Sequence, residues 1–170
     1  MKHDLRAALE AALTGKTGFV GIGNADRGGD GFGVRLAQAL EASGVPEVMI
    51  AGTAPESRIT SLINGGFDNL IFLDAVETGA DAGSVVFLSA DHIKSRFPQV
   101  STHKIGLGTL ARLIERESSA RVWLLGMQPV ALREHSGLSE AAHTTMELLQ
   151  RILLDVLARR VQIEAECINS

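Results

Sequence analysis

The run GIGNADRGGDGFGVRLAQAL, Gly21 to Leu40, constrains this chain more than any other feature. Six glycines and two aspartates separate an apolar segment, TGFVGIG, from one that carries Val34, Leu36, Ala37, Leu40 and Ala42 at helical spacing. A short apolar run bounded by glycine reads as a buried strand. The helix after the loop is expected to stop before Gly44-Val45-Pro46. A strand, a glycine-rich turn and a helix in that order open an α/β domain. The loop is then either a cradle for phosphates or a mount for a carboxylate.

The phosphate readings fail on spacing. The dinucleotide fingerprint G-x-G-x-x-G begins at Gly21 and Gly23, but Asp26 stands at its third glycine. MIAGT ends the second strand with no acid for a ribose. The Walker pattern runs from Gly23 to Gly28, and Gly29 and Asp30 then occupy its Lys-Ser/Thr positions. Two aspartates in a small loop repel a phosphate. Glycine tolerates positive φ, so the simplest account is a tight turn. That account leaves unexplained why Asp30 stands at the start of the helix.

The rest of the chain alternates strands with helices. EVMIAG is read as a second strand, SRITSLING as a short helix, and DNLIFLDAV as a third strand apolar on both faces. GSVVFLSA is a fourth strand, IGLGTLARLIERES a helix and ARVWLLGM a fifth strand. Only ETGADA links the third strand to the fourth. A parallel crossover needs about a dozen residues, so the fourth is expected to run antiparallel to the third across a hairpin-like turn. Ser139 is positioned to cap a final helix, EAAHTTMELLQRILLDVLARR. The expected fold is one three-layer α/β/α sandwich over residues 1–170, with a five-stranded mixed sheet, a leading helix at 1–15 and a loose tail at 161–170.

Composition removes several classes of function. With 45% hydrophobic and 21% charged residues, the chain reads as globular. A net charge of -4, six Phe, one Trp and no Tyr argue against a nucleic-acid surface. Asp4, Arg6 and Glu10 interrupt the N-terminal segment, which excludes a signal peptide, and no apolar run is long enough to span a membrane. Cys167, the one cysteine, permits no internal disulfide, and a cytoplasmic location is expected.

Candidate site residues come from three loops. Asp74 in IFLDAV ends a buried strand, where an Asp also serves as a turn former or a cap. Ligands of α/β sheets bind outside the C-terminal ends of the strands at a topological switch point, so Asp30 and Asp74 meet if the first and third strands are neighbours. Among the histidines, His3 and His143 fall on terminal helices and His92 on an exposed turn; His135 carries no assigned role. His103, in STHKIGL, lies in a polar loop before a helix. Two carboxylates and one imidazole make a three-ligand metal site with an open position. Gly52 and Thr53 of GTAPES, on the same rim, offer backbone and hydroxyl bonds to an extended peptide; a turn closed by Pro55 with Ser57 capping the next helix explains the motif equally well. Glu77 and Asp81 read as a solvated turn, and Met127, Gln128 and Pro129 as packing.

The motifs GIGNADRGGDGFGVR, GTAPES, LIFLDAV, STHKIGL, LLGMQP and GLSEA, taken in order from Phe19 to Leu157, resemble those of the hydrogenase maturation endopeptidases. The resemblance implies removal of a C-terminal extension from the precursor of a nickel–iron hydrogenase large subunit. It implies that Asp30, Asp74 and His103 contact nickel carried by that precursor, with zinc or cadmium able to substitute, and that the first and third strands lie side by side. The expected protein is a monomer with no nucleic-acid or membrane partner. Two positions depart from the family pattern: Gly29 where a second acid is common, and Ile50-Ala51 where Asp-Gly often precedes the second loop. These departures keep a non-catalytic, metal-sensing chaperone as the rival reading. A nucleotide-binding module is a more distant one.

Overall fold

We describe residues 4–96, 106–130 and 137–168 of a computed structural model of the protein. The elements run α1 (Leu5–Ala12), β1 (Thr17–Ile22), α2 (Phe32–Ala42), β2 (Val48–Gly52), α3 (Ile59–Asn64), β3 (Asn69–Ala75), β4 (Val85–Ser89), α4 (Ala90–Arg96), α5 (Leu107–Glu117), β5 (Arg121–Met127) and α6 (Glu140–Ile168). Single 3-10 turns at Gly28–Gly31 and Pro55–Arg58 lead into α2 and α3.

The five strands form one mixed sheet in the order β2-β1-β3-β5-β4. β2, β1, β3 and β5 are parallel, and β4 alone runs antiparallel, against β5. Side chains alternate across this sheet, as the period of a strand requires. Leu70 and Phe72 of β3 point into a core closed by Leu62 of α3, Ile93 of α4, and Leu110 and Ile114 of α5. Ile71 and Leu73 point the other way, into a core closed by Leu9 of α1, Phe32, Leu36 and Leu40 of α2, and Leu149 and Leu153 of α6. Both faces of the sheet are covered, which makes the three-layer sandwich. Each fully buried Leu or Phe contributes roughly 1.5–3 kcal/mol relative to exposure.

The expected pairing of the fourth strand is corrected. β4 does run opposite to β3, but β5 is inserted between them. β5 is apolar almost throughout and gains two hydrogen-bonded neighbours in that position. The chain from β3 to β4 therefore arches over the end of β5 instead of closing a hairpin. Asp91-His92, read as an exposed turn, belongs to α4, whose Ala90 and Ile93 are buried while Asp91 and His92 face solvent. The tail is corrected too: α6 continues through Ile168, although residues 161–168 are all exposed.

Caps explain where the helices begin. Asp4 accepts the Arg6 N–H at 3.0 Å at the head of α1, and Ser139 Oγ accepts the Ala142 N–H at 3.2 Å at the head of α6. The expected cap by Ser57 is not formed: its hydroxyl donates back to the Ala54 carbonyl at 2.7 Å, within the turn. α1 lies against α6, where the Arg6 guanidinium donates to Asp155 at 2.6 Å.

Candidate active site

The C-terminal ends of β2, β1 and β3 share one edge of the sheet. β1 is bracketed by β2 on one side and β3 on the other. The chain leaves β1 through α2 on one face and reaches β3 through α3 on the opposite face. That reversal makes a switch point beyond Ile22 and Asp74, the place where open α/β sheets bind ligands.

Gly23 is the pivot of this rim. Its φ of +119° lies in a region closed to most side chains, and a Cβ there would meet the Asp30 carbonyl oxygen at 2.0 Å and Asp74 Oδ1 at 3.6 Å. The two aspartates named from the sequence thus border the same glycine. The Gly23 N–H donates to the Gly52 carbonyl at 2.9 Å, which ties the second loop to the first. Gly52 itself has φ +60°, and Thr53 follows it in an exposed position.

The glycine loop is folded by its own polar groups. Asp30 Oδ2 accepts the Asn24 N–H at 3.1 Å, Asn24 Oδ1 accepts the Asp26 N–H at 2.9 Å, and Arg35 of α2 donates to the Ala25 carbonyl at 3.0 Å. Asp30 is half-buried, immediately ahead of α2, where the helix dipole favours a negative charge. The glycines serve close packing. A Cβ on Gly33 would strike the carbonyl oxygens of Leu73 at 1.9 Å and Ile22 at 2.4 Å, so only glycine lets α2 sit this near the ends of β1 and β3. Gly28, Gly29 and Gly31 are buried, so the loop's backbone is committed to packing rather than laid open as a phosphate cradle.

Asp74 is 5% exposed. It continues the set of Leu70 and Phe72, which addresses the α3, α4 and α5 side of the sheet. The segment carrying His103 joins α4 to α5, two of the helices on that side, but His103 lies outside the described residues. His3 and His135 lie outside them as well. His92 Nδ1 is 3.1 Å from Ser89 Oγ, and His143 pairs with Glu147 at 3.6 Å; both are on the surface. Among the described residues, no group of three or more His, Cys, Asp or Glu stands close enough to hold a metal. The pair Asp30 and Asp74 offers two oxygen donors of the kind that divalent cations accept.

One residue was undervalued in the sequence. Gln128, read as packing, is 8% exposed and gathers hydrogen bonds from Thr78 and Gly79 in the loop that follows Asp74. The available signal was a polar side chain set directly at the end of the apolar run WLLGM.

Comparison with known proteins bears on the family and the fold. The family model described as hydrogenase maturation protease matches residues 34–156. The chain is 31% identical to the Hydrogenase 3 maturation protease of Escherichia coli (strain K12) over 110 residues, 64% of this chain and 69% of that protein. The crystal structure of the NiFe hydrogenase maturation protease HycI from Thermococcus kodakarensis KOD1 superposes with a TM-score of 0.79 at 28% identity, covering 89% of this chain and 99% of that one. The hydrogenase maturating endopeptidase HybD from E. coli shares the fold, with a TM-score of 0.68 at 24% identity over 87% of this chain and 93% of that one. With a matched model over most of the domain and the same mixed sheet beneath it, the chain belongs to the hydrogenase maturation protease family.

Proposed function

We propose that this protein is an endopeptidase that recognises nickel in the precursor of a nickel–iron hydrogenase large subunit and removes the precursor's C-terminal extension. Membership of the family supports the reaction class and the substrate. The observation that carries the site is the meeting of two aspartates at the switch point: Asp74 borders Gly23 with its carboxylate and Asp30 with its main-chain carbonyl, while the Asp30 carboxylate accepts the N–H of Asn24, the residue after Gly23. Asp30, Asp74 and His103 are the proposed contacts to the metal, and Gly52 and Thr53 those to the substrate chain.

Nickel is cargo of the substrate in this reading and supplies a positive charge beside the bond to be cut. The protein's part is to hold two anionic groups in place before the substrate arrives. Asp74 is held by a strand paired on both sides, and Asp30 by its bond to Asn24. Preorganised carboxylates then need little reordering when the metal docks, which lowers the barrier through positioning. Zinc or cadmium would substitute as divalent cations that accept the same donors. We place the protein in the cytoplasm as a monomer. The free, exposed Cys167 supports a reducing compartment.

The test is incubation of purified protein with nickel-loaded and metal-free precursor, followed by gel analysis and mass determination of the product's C-terminus. Shortening of the nickel-loaded form alone is expected. Cleavage of both forms would remove nickel recognition from the reading. A stable complex with no cleavage would replace the endopeptidase with a metal-sensing chaperone.

A further inference from the structure

Gln128 directly follows the last residue of β5 and is buried. Its Oε1 accepts three hydrogen bonds: from Thr78 N–H at 2.6 Å, Thr78 Oγ1 at 2.9 Å and Gly79 N–H at 3.1 Å. Its Nε2 donates to the Pro129 carbonyl at 3.0 Å. Both ends of the arch between β3 and β4 are already fastened by main chain. Val76 N–H donates to Met127 O at 2.9 Å, Gly83 N–H to Gln128 O at 2.9 Å, and Gln128 N–H to Ser84 O at 2.8 Å.

Those backbone bonds are enough to carry the chain across the end of β5. The side chain adds a clamp on the middle of the arch, whose Glu77, Gly79, Ala80 and Asp81 are not buried. Burying a flexible polar side chain to order an open loop costs conformational entropy. The ordered loop offers a ligand a surface that is fixed before the ligand arrives. The arch starts directly after Asp74 and Ala75, so it borders the rim that holds the two carboxylates.

We propose that Gln128 is a positioning residue, which fixes the 77–81 arch as a wall of the rim against which the substrate polypeptide is laid. This inference rests on the endopeptidase reading above. A wall already ordered spares the complex the cost of ordering it on binding. Losing the clamp should therefore weaken substrate binding more than the chemical step. That pattern raises KM and leaves kcat nearly unchanged.

The experiment measures precursor processing by the parent, Gln128→Met, Thr78→Val and Val156→Ala. Val156 is buried in α6, in the core on the α1 side of the sheet, so its truncation reports general destabilisation. Gln128→Met should raise KM on the order of tenfold with kcat within about twofold, the signature of lost ground-state binding. Thr78→Val removes only the hydroxyl and should shift KM in the same direction by less. Amide hydrogen exchange at Thr78 and Gly79 should accelerate in Gln128→Met. If Gln128→Met does not fold, Thr78→Val carries the test alone. An unchanged KM, a loss confined to kcat, or an equal rise of KM in Val156→Ala would overturn the positioning role. A parent that leaves the precursor uncut would instead remove the endopeptidase reading, and this inference with it.

Discussion

The carbonyl oxygen of Asp30 rests against the α-carbon of Gly23, so closely that a Cβ there would come within 2.0 Å of it. This contact folds the glycine loop back over the end of β1 and brings the Asp30 carboxylate to the same rim as Asp74. It also makes Gly23 an unusually sensitive position. Gly23→Ala combines a collision with backbone and a positive φ, and should destabilise the protein by more than about 2 kcal/mol. Gly44→Ala is the control, because its φ of +83° is strained but nothing lies within 4 Å of the added atom. It should cost only about 1 kcal/mol. Urea denaturation of both variants decides; equal losses would mean that the contact at Gly23 is slack.

Asp30→Asn and Asp74→Asn should fold and fail to process. In Asp30→Asn the carboxamide oxygen can still accept the Asn24 N–H, so the loop keeps its closure. Asp74→Asn is the harder case, because the side chain is buried, yet the change is isosteric. Processing should fall by more than about 100-fold, beyond the 10–100-fold typical of residues that only orient a ligand. Melting curves run beside the processing assay separate lost chemistry from lost structure. Folded variants that cut at the parental rate would remove the two carboxylates from the site.

The bond between α1 and α6 predicts a pH dependence. Hydrogen bonding to Arg6 holds the Asp155 carboxyl below its usual range, and Arg6 is raised in turn. A depressed carboxyl stabilises the fold above its unfolded value of ~3.9, and the effect is lost as pH falls through the lower folded value. The parent should therefore melt above Asp155→Asn at pH 7, and the gap should close in acid. The two side chains are 35% and 45% exposed, so solvent screens the pair, and the gap should be small and should shrink with added salt. A gap that widens in acid would contradict the assignment.

Truncation after Arg160 should barely change stability. Residues 161–168 are helical but exposed, and the Arg160–Glu164 pair at 2.8 Å lies on the surface. Surface changes of this kind fall within about 0.5 kcal/mol. Circular dichroism should show the lost helical turns while the denaturation midpoint stays in place. A large drop would show that the end of α6 contributes to the core.

What the sequence determined by itself was local. Alternation and apolar runs located all five strands, because a covered sheet needs near-continuous apolar residues and glycine or polar residues bound them. The loop after β1 made Asp30 a candidate because its spacing fits no phosphate motif, and IFLDAV made Asp74 one because it ends an apolar strand at the edge where α/β sheets bind ligands. What only the tertiary structure decided was non-local. The insertion of β5 between β3 and β4 depends on which edge offers the better-buried neighbour, and no local pattern records that. Gln128 looked like packing for the same reason: its partners, Thr78 and Gly79, are distant in the chain and meet it only once β5 takes its place beside β3. The extension of α6 to Ile168 was hidden because an exposed helix lacks the apolar stripe by which a packed one is read.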